Sequence, residues 1–165
     1  MMYYFLQYLK HLLSATNQHG IHSPFVYDYL TKCLYAKTKF KTSKCDKVVL
    51  KSIPYFAIKN IKIDAEDSRI DNKIQHEFKL KPSHKTPFDL IYLDHPTAHI
   101  LSCYNGLVHN DSMIFIKNIH RNKNATNIWK TLKASEIITV SIDMFYCGAL
   151  FFRKEQVKEH FKVRI

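Results

Sequence analysis

The chain has 165 residues and a formal net charge of +11, from 25 Lys and Arg against 14 Asp and Glu, with 46% hydrophobic residues. That is one domain's worth of polypeptide, able to bury roughly 70% of its unfolded surface, which excludes a disordered chain. Its three glycines, Gly20, Gly106 and Gly148, are dozens of residues apart, which excludes P-loops and Gly-rich dinucleotide loops, both of which need glycines close together.

The first element, MMYYFLQYLKHLLSATNQ, places Phe5, Leu6, Leu9, Leu12 and Leu13 at helical spacing. Lys10 and His11 interrupt it, so it predicts an amphipathic helix of about three turns, too short to span a bilayer. A cytoplasmic protein without a membrane span is expected. In NQHGIHSPFVYDYLTKCLYAK, Ser23 is a helix N-cap and Pro24 the first helical residue. A second helix follows, with Val26, Leu30, Cys33 and Leu34 on its apolar face. Residues 37–47 carry five lysines and read as a basic connector. KVVLKSIPYF then predicts a short helix with Val49, Ile53 and Phe56 on one side, bent or ended by Pro54.

From Lys59 the period changes. KNIKID alternates Ile61 and Ile63 and predicts a strand, AEDSRIDNK a polar loop, and IQHEFKL a weak second strand. DLIYLD, from Asp89 to Asp94, holds four consecutive apolar residues, the pattern of a strand covered on both faces. A helix from Pro96 through Tyr104 is expected, with Gly106 as its left-handed exit, and then a strand in SMIFIK, Ser112 to Lys117. A helix from about Asn122 to Ala134 buries Ala125, Ile128, Trp129 and Leu132. It leads to IITVSID and CGALFFRK, two strands joined so tightly that they should be antiparallel neighbours at the end of the sheet.

These elements predict an α/β protein: a truncated Rossmann-like, methyltransferase-type open sheet, mostly parallel with an antiparallel C-terminal edge pair, preceded by two helices. Residues 1–36 form the helical segment and 37–165 the α/β unit. Cys33, Cys45, Cys103 and Cys147 have no C-x-x-C or zinc-ribbon spacing and read as free thiols. His95 and His99 in HPTAH lack an H-E-x-x-H companion pattern, and no metal ligand set is read from the chain. The positive charge attracts anions in general, nucleic acid among them, with Phe40 and the connector lysines as a weak phosphate-tracking patch. The acidic run Asp64, Glu66, Asp67 and Asp71 reads as a solvated loop.

NQHGIHSPFVYD, DLIYLDHP, MIFIKNIHR, IWKTLKA and VSIDMFYCGALFFRKEQVKEHFKVRI, taken in order, resemble the bacterial class I S-adenosylmethionine-dependent methyltransferases of the small-molecule O-methyltransferase type. Together these five segments hold 62 of the 165 residues. The resemblance implies an S-adenosylmethionine site after the first strand, at Asp64 and Ala65, but Ala65, Glu66, Asp67, Ser68 and Arg69 stand where that family has glycines. Only about 25 residues separate Asp64 from Asp89, whereas the family places a strand carrying a ribose-binding acid, a further strand and two helices there. A cofactor is therefore not expected. On the substrate side the resemblance implies a divalent metal held by Asp94 and an Asp-Asp or Asp-Asn pair, which here is Lys117 and Asn118. An ammonium there would repel the cation it replaces. Lys117 is expected either to pair with Asp94 or to be solvated, and Asp94 itself reads as a ligand or as a helix N-terminal carboxylate. Asn118 and His120 remain as polar groups at a strand end, and His19, His22 and Tyr27 fall on the implied substrate side. The readings are thus a degenerate methyltransferase acting on an unknown small molecule, an interaction module that dimerises through an exposed sheet edge, or a basic nucleic-acid-associated protein.

Overall fold

A computed structural model describes residues 2–65 and 69–165; the expected loop residues Glu66, Asp67 and Ser68 lie outside them. Three helices come first. α1 spans Met2–Ser14, α2 spans Pro24–Asp28 and continues as wider π-type turns over Tyr29–Leu34, and α3 spans Lys44–Tyr55. Ser23 caps α2 as expected, its Oγ accepting from Val26 N, with Pro24 at the first helical position. Ser43 caps α3 in the same way from Asp46 N, so the last four residues of the expected connector are helical.

The apolar stripe foreseen on α1 faces solvent, with Phe5, Leu6, Leu9 and Leu13 all exposed. The helix instead turns His11 inward and rests Tyr4 and Tyr8 edge-on against Phe145. Aromatic contact with one buried ring, rather than the leucine periodicity, sets its rotation.

Six strands follow: β1 (Ile61–Asp64), β2 (Phe88–Leu93), β3 (Val108–Lys117), β4 (Val140–Asp143), β5 (Cys147–Phe151) and β6 (Glu159–Lys162). They form one open Rossmann-like sheet in the order β1-β2-β3-β5-β4-β6. β1, β2 and β3 are parallel neighbours, with Ile61 opposite Leu90 and Leu90 opposite Met113. β5 runs antiparallel to both β3 and β4, and β6 continues the sheet parallel to β4. The α/β class and the antiparallel β4–β5 pair are as expected.

Helices α4 (Arg69–Phe78), α5 (Ile100–Cys103) and α6 (Lys123–Ala134) complete the fold. α4 replaces the loop and weak strand expected in this interval: Ile70, Ile74 and Phe78 recur every four residues, and the first two are buried. α5 is shorter than foreseen, beginning at Ile100 rather than Pro96. Gly106 has φ +74° as expected.

Strand alternation divides the core in two. Leu90, Tyr92, Met113 and Phe115 face the N-terminal helices, while Ile91, Leu93, Ile114 and Ile116 face Trp129 and Leu132 of α6. Both faces of β2 and β3 are therefore covered, which is why these strands are continuous apolar runs. Gly148 on β5 is required by close approach: a Cβ there would stand 2.7 Å from Trp129 Cζ2.

Candidate functional site

β2 and β3 end side by side, and Asp94 and Lys117 are delivered together at their C-terminal ends, where open α/β sheets bind ligands. The hollow above them has a volume of about 280 Å³ and is walled by Thr42, Asp46, Arg69 and Lys73 as well as Tyr92. Lys117 Nζ lies 3.9 Å from Asp94 Oδ1 and 4.0 Å from Asp46 Oδ1. The Tyr92 hydroxyl donates to Asp94 Oδ1 at 3.1 Å. Burial pushes the Tyr92 phenol well up, and the adjoining Asp94 charge adds to it, so it stays a donor. Because α5 begins six residues after Asp94, a helix N-terminus does not account for this carboxylate; Tyr92 and Lys117 do.

The opposite wall is a hydrogen-bonded cluster. Lys73 Nζ donates to Asp46 Oδ2 at 2.6 Å and to Thr42 Oγ1 at 2.5 Å, while Thr42 donates to Asp46 at 2.8 Å. Burial alone would raise the Asp46 carboxyl, but Lys73, Thr42 and the Ser43 cap outweigh it and hold it below the usual range. Three cationic side chains (Arg69, Lys73, Lys117) thus share the cleft with two carboxylates, Asp46 and Asp94.

Asn118 supports the site from beneath. Its φ is +59°, and its Nδ2 donates to Asp94 O at 2.9 Å while its N–H donates to Tyr146 O at 2.8 Å. This left-handed residue turns the chain out of β3 and locks the two strand ends together.

His120 points away from the cleft. Its Nε2 is 2.7 Å from Asp143 Oδ2 and its Nδ1 is 3.2 Å from Thr126 Oγ1. His11 meets the same carboxylate from α1, with Nδ1 3.4 Å from Oδ1. Trp129 Nε1 and Phe145 N also donate to it, at 3.1 and 2.9 Å. Burial raises Asp143, yet the groups around its carboxylate more than offset this and hold it far below the ordinary carboxylate range. Among the described residues, His11, His120 and Asp143 are the one set of three ligand-type side chains close enough to share a cation.

The other expected site residues lie elsewhere. Asp64 is exposed at the end of β1, 3.4 Å from the Tyr104 hydroxyl, and Ala65 packs against the core. His19, His22 and Tyr27 are exposed and do not line the cleft. Ser23 beside them bonds Gln156, and Phe25 packs edge-on against Phe151, at the far end of the strands. Phe40 sits against Phe78 as part of the core margin rather than as an open stacking platform. Asp46, Lys73 and Thr42 were not foreseen. Their signal was local: Asp46 stands three residues after a cap serine, and Lys73 follows Ile70 at helical spacing.

No helix of the described residues is long and apolar enough to cross a membrane. The chain matches no family model and no curated protein.

Proposed function

We propose that the chain is a methyltransferase-like protein that no longer binds S-adenosylmethionine and does not methylate a substrate in its cleft. The observation that carries this reading is Lys117, whose ammonium lies between Asp94 and Asp46, where the resemblance implies a divalent metal. A resident monovalent charge cannot acidify two substrate oxygens as a metal does.

The sheet supports the loss of the cofactor. β1 is its terminal strand, and between residues 69 and 87 the described chain contains α4 and no strand. The adenosine-binding half of the family's site would have stood beyond β1.

Titration with Mg²⁺, followed by amide NMR shifts, tests this reading. No saturable shifts at Asp46, Asp94 and Lys117 are expected in the wild type, and they should appear in Lys117→Asp. Saturable shifts there in the wild type overturn it.

Self-association through β1 is a second reading, favoured by that strand's position at the sheet edge. Sedimentation as a monomer at every concentration removes it.

A further inference from the structure

We propose that His11, His120 and Asp143 bind one divalent transition metal ion, of which zinc is the type, and that the ion clips α1 to the C-terminal strands.

Hydrogen-bond bookkeeping fixes which nitrogens are available. His11 Nε2 is 3.2 Å from the carbonyl oxygen of Val163. A carbonyl only accepts, so Nε2 carries the hydrogen and a neutral ring has its lone pair on Nδ1. Thr126 uses its single hydroxyl hydrogen on Asn122 O at 3.1 Å, so it accepts from His120 Nδ1. The His120 lone pair is then on Nε2. Both lone-pair nitrogens stand close to the carboxylate of Asp143, at 3.4 and 2.7 Å, and two neutral rings cannot face an anion in this way without something positive between them.

Protonating His120 satisfies its 2.7 Å contact. It leaves His11 Nδ1 a buried atom with no hydrogen-bond partner, in a residue that is 5% exposed. A buried polar atom in that state is costly. A metal uses all three groups. With metal–ligand bonds of about 2.0–2.1 Å, neighbouring ligands of a tetrahedral ion stand roughly 3.3–3.4 Å apart. His11 Nδ1 and Asp143 Oδ1 are 3.4 Å apart, and all three ligand atoms lie within 4.8 Å of one another. The 2.7 Å contact of His120 with Asp143 must open toward that separation, and the wider separations in the set, up to 4.8 Å, must close toward it.

The surroundings are those of a ligand set. Each imidazole donates its outer N–H, one to a carbonyl and one to a hydroxyl, the arrangement that orients metal-bound histidines and fixes their tautomers. Two imidazoles and a carboxylate suit zinc among the divalent metals. His120 also lines a hollow of about 280 Å³ between Tyr4, Phe145 and Tyr146, which gives access and room for a water as fourth ligand. The three ligands come from α1, the β3–α6 loop and β4, so sequence spacing carries no motif for them.

The test uses the full chain stripped with chelator and titrated with Zn²⁺ in competition with a chromophoric chelator, and with Co²⁺ read by visible absorption. One equivalent per chain is expected, with intense tetrahedral Co²⁺ bands and a raised unfolding midpoint. His11→Gln and His120→Gln should lose that equivalent, and Thr126→Val, which keeps all three ligands, should weaken it about tenfold. Absence of a stoichiometric site, or an equivalent retained in His11→Gln, overturns the proposal. Where a variant does not fold, the wild-type Co²⁺ spectrum decides: weak octahedral bands, as from exposed histidines, refute the site.

Discussion

Lys117 Nζ stands 3.9 Å from Asp94 Oδ1 across the ends of two parallel strands. Its second carboxylate neighbour, Asp46, comes from α3 at 4.0 Å. The side chain therefore occupies the centre of the cleft rather than extending into solvent, and it balances carboxylates that would otherwise repel each other.

Replacing that charge should change what the cleft binds. Lys117→Asp places a third carboxylate beside Asp46 and Asp94, and millimolar or tighter Mg²⁺ binding should appear by calorimetry where the wild type shows none. Without the ion the variant should be less stable by roughly 1–3 kcal/mol, because like charges then share a part-buried site. An unchanged urea midpoint would show that Lys117 is not engaged with either carboxylate.

The depressed Asp46 carboxyl gives a pH dependence with a definite sign. Its folded value lies below its unfolded one, so its stabilising contribution is fully present above the unfolded value of about 3.9 and disappears as pH falls through the folded one. The stability gap between wild type and Asp46→Asn should be constant from pH 5 to 8 and shrink below pH 4, measured by urea unfolding. A gap that widens in acid would contradict the Lys73–Asp46 assignment.

Gly148→Ala should be among the most damaging small substitutions. The added methyl would overlap the indole of Trp129, and overpacking of this kind costs about 1–3 kcal/mol. Trp129→Phe in the same chain should recover part of that loss, since the smaller ring withdraws from β5. Additive losses in the double variant would place the strain elsewhere.

On α1 the apolar stripe should matter less than the tyrosines. Leu9→Ser and Leu13→Ser should each change stability by less than about 0.5 kcal/mol, since both residues are exposed. Tyr8→Ala should cost more than either, because it removes the ring 4.9 Å from Phe145. Equal costs at Leu13 and Tyr8 would mean that α1 packs through its leucines.

The sequence was readable wherever local physics decided the outcome. Ser23 with Pro24, the runs Leu90–Leu93 and Met113–Ile116, and Gly106 each announce their structure through capping, burial or a positive φ. α4 was obscured because its apolar residues, Ile70, Ile74 and Phe78, are separated by polar triplets that also fit a loop. The rotation of α1 was hidden because Phe145, which sets it, is more than 130 residues away in the chain. The same holds for the sites: Asp94 and Lys117 lie at strand ends and could be named, whereas Asp46, Lys73, His11 and Asp143 join their clusters only through tertiary contact.

The measurement that bears most directly on the whole account is a calorimetric titration of the intact chain with S-adenosylmethionine. With β1 terminal in the sheet and Ala65 packed against the core, no heat of binding is expected at millimolar cofactor. Saturable binding in the micromolar range would contradict it.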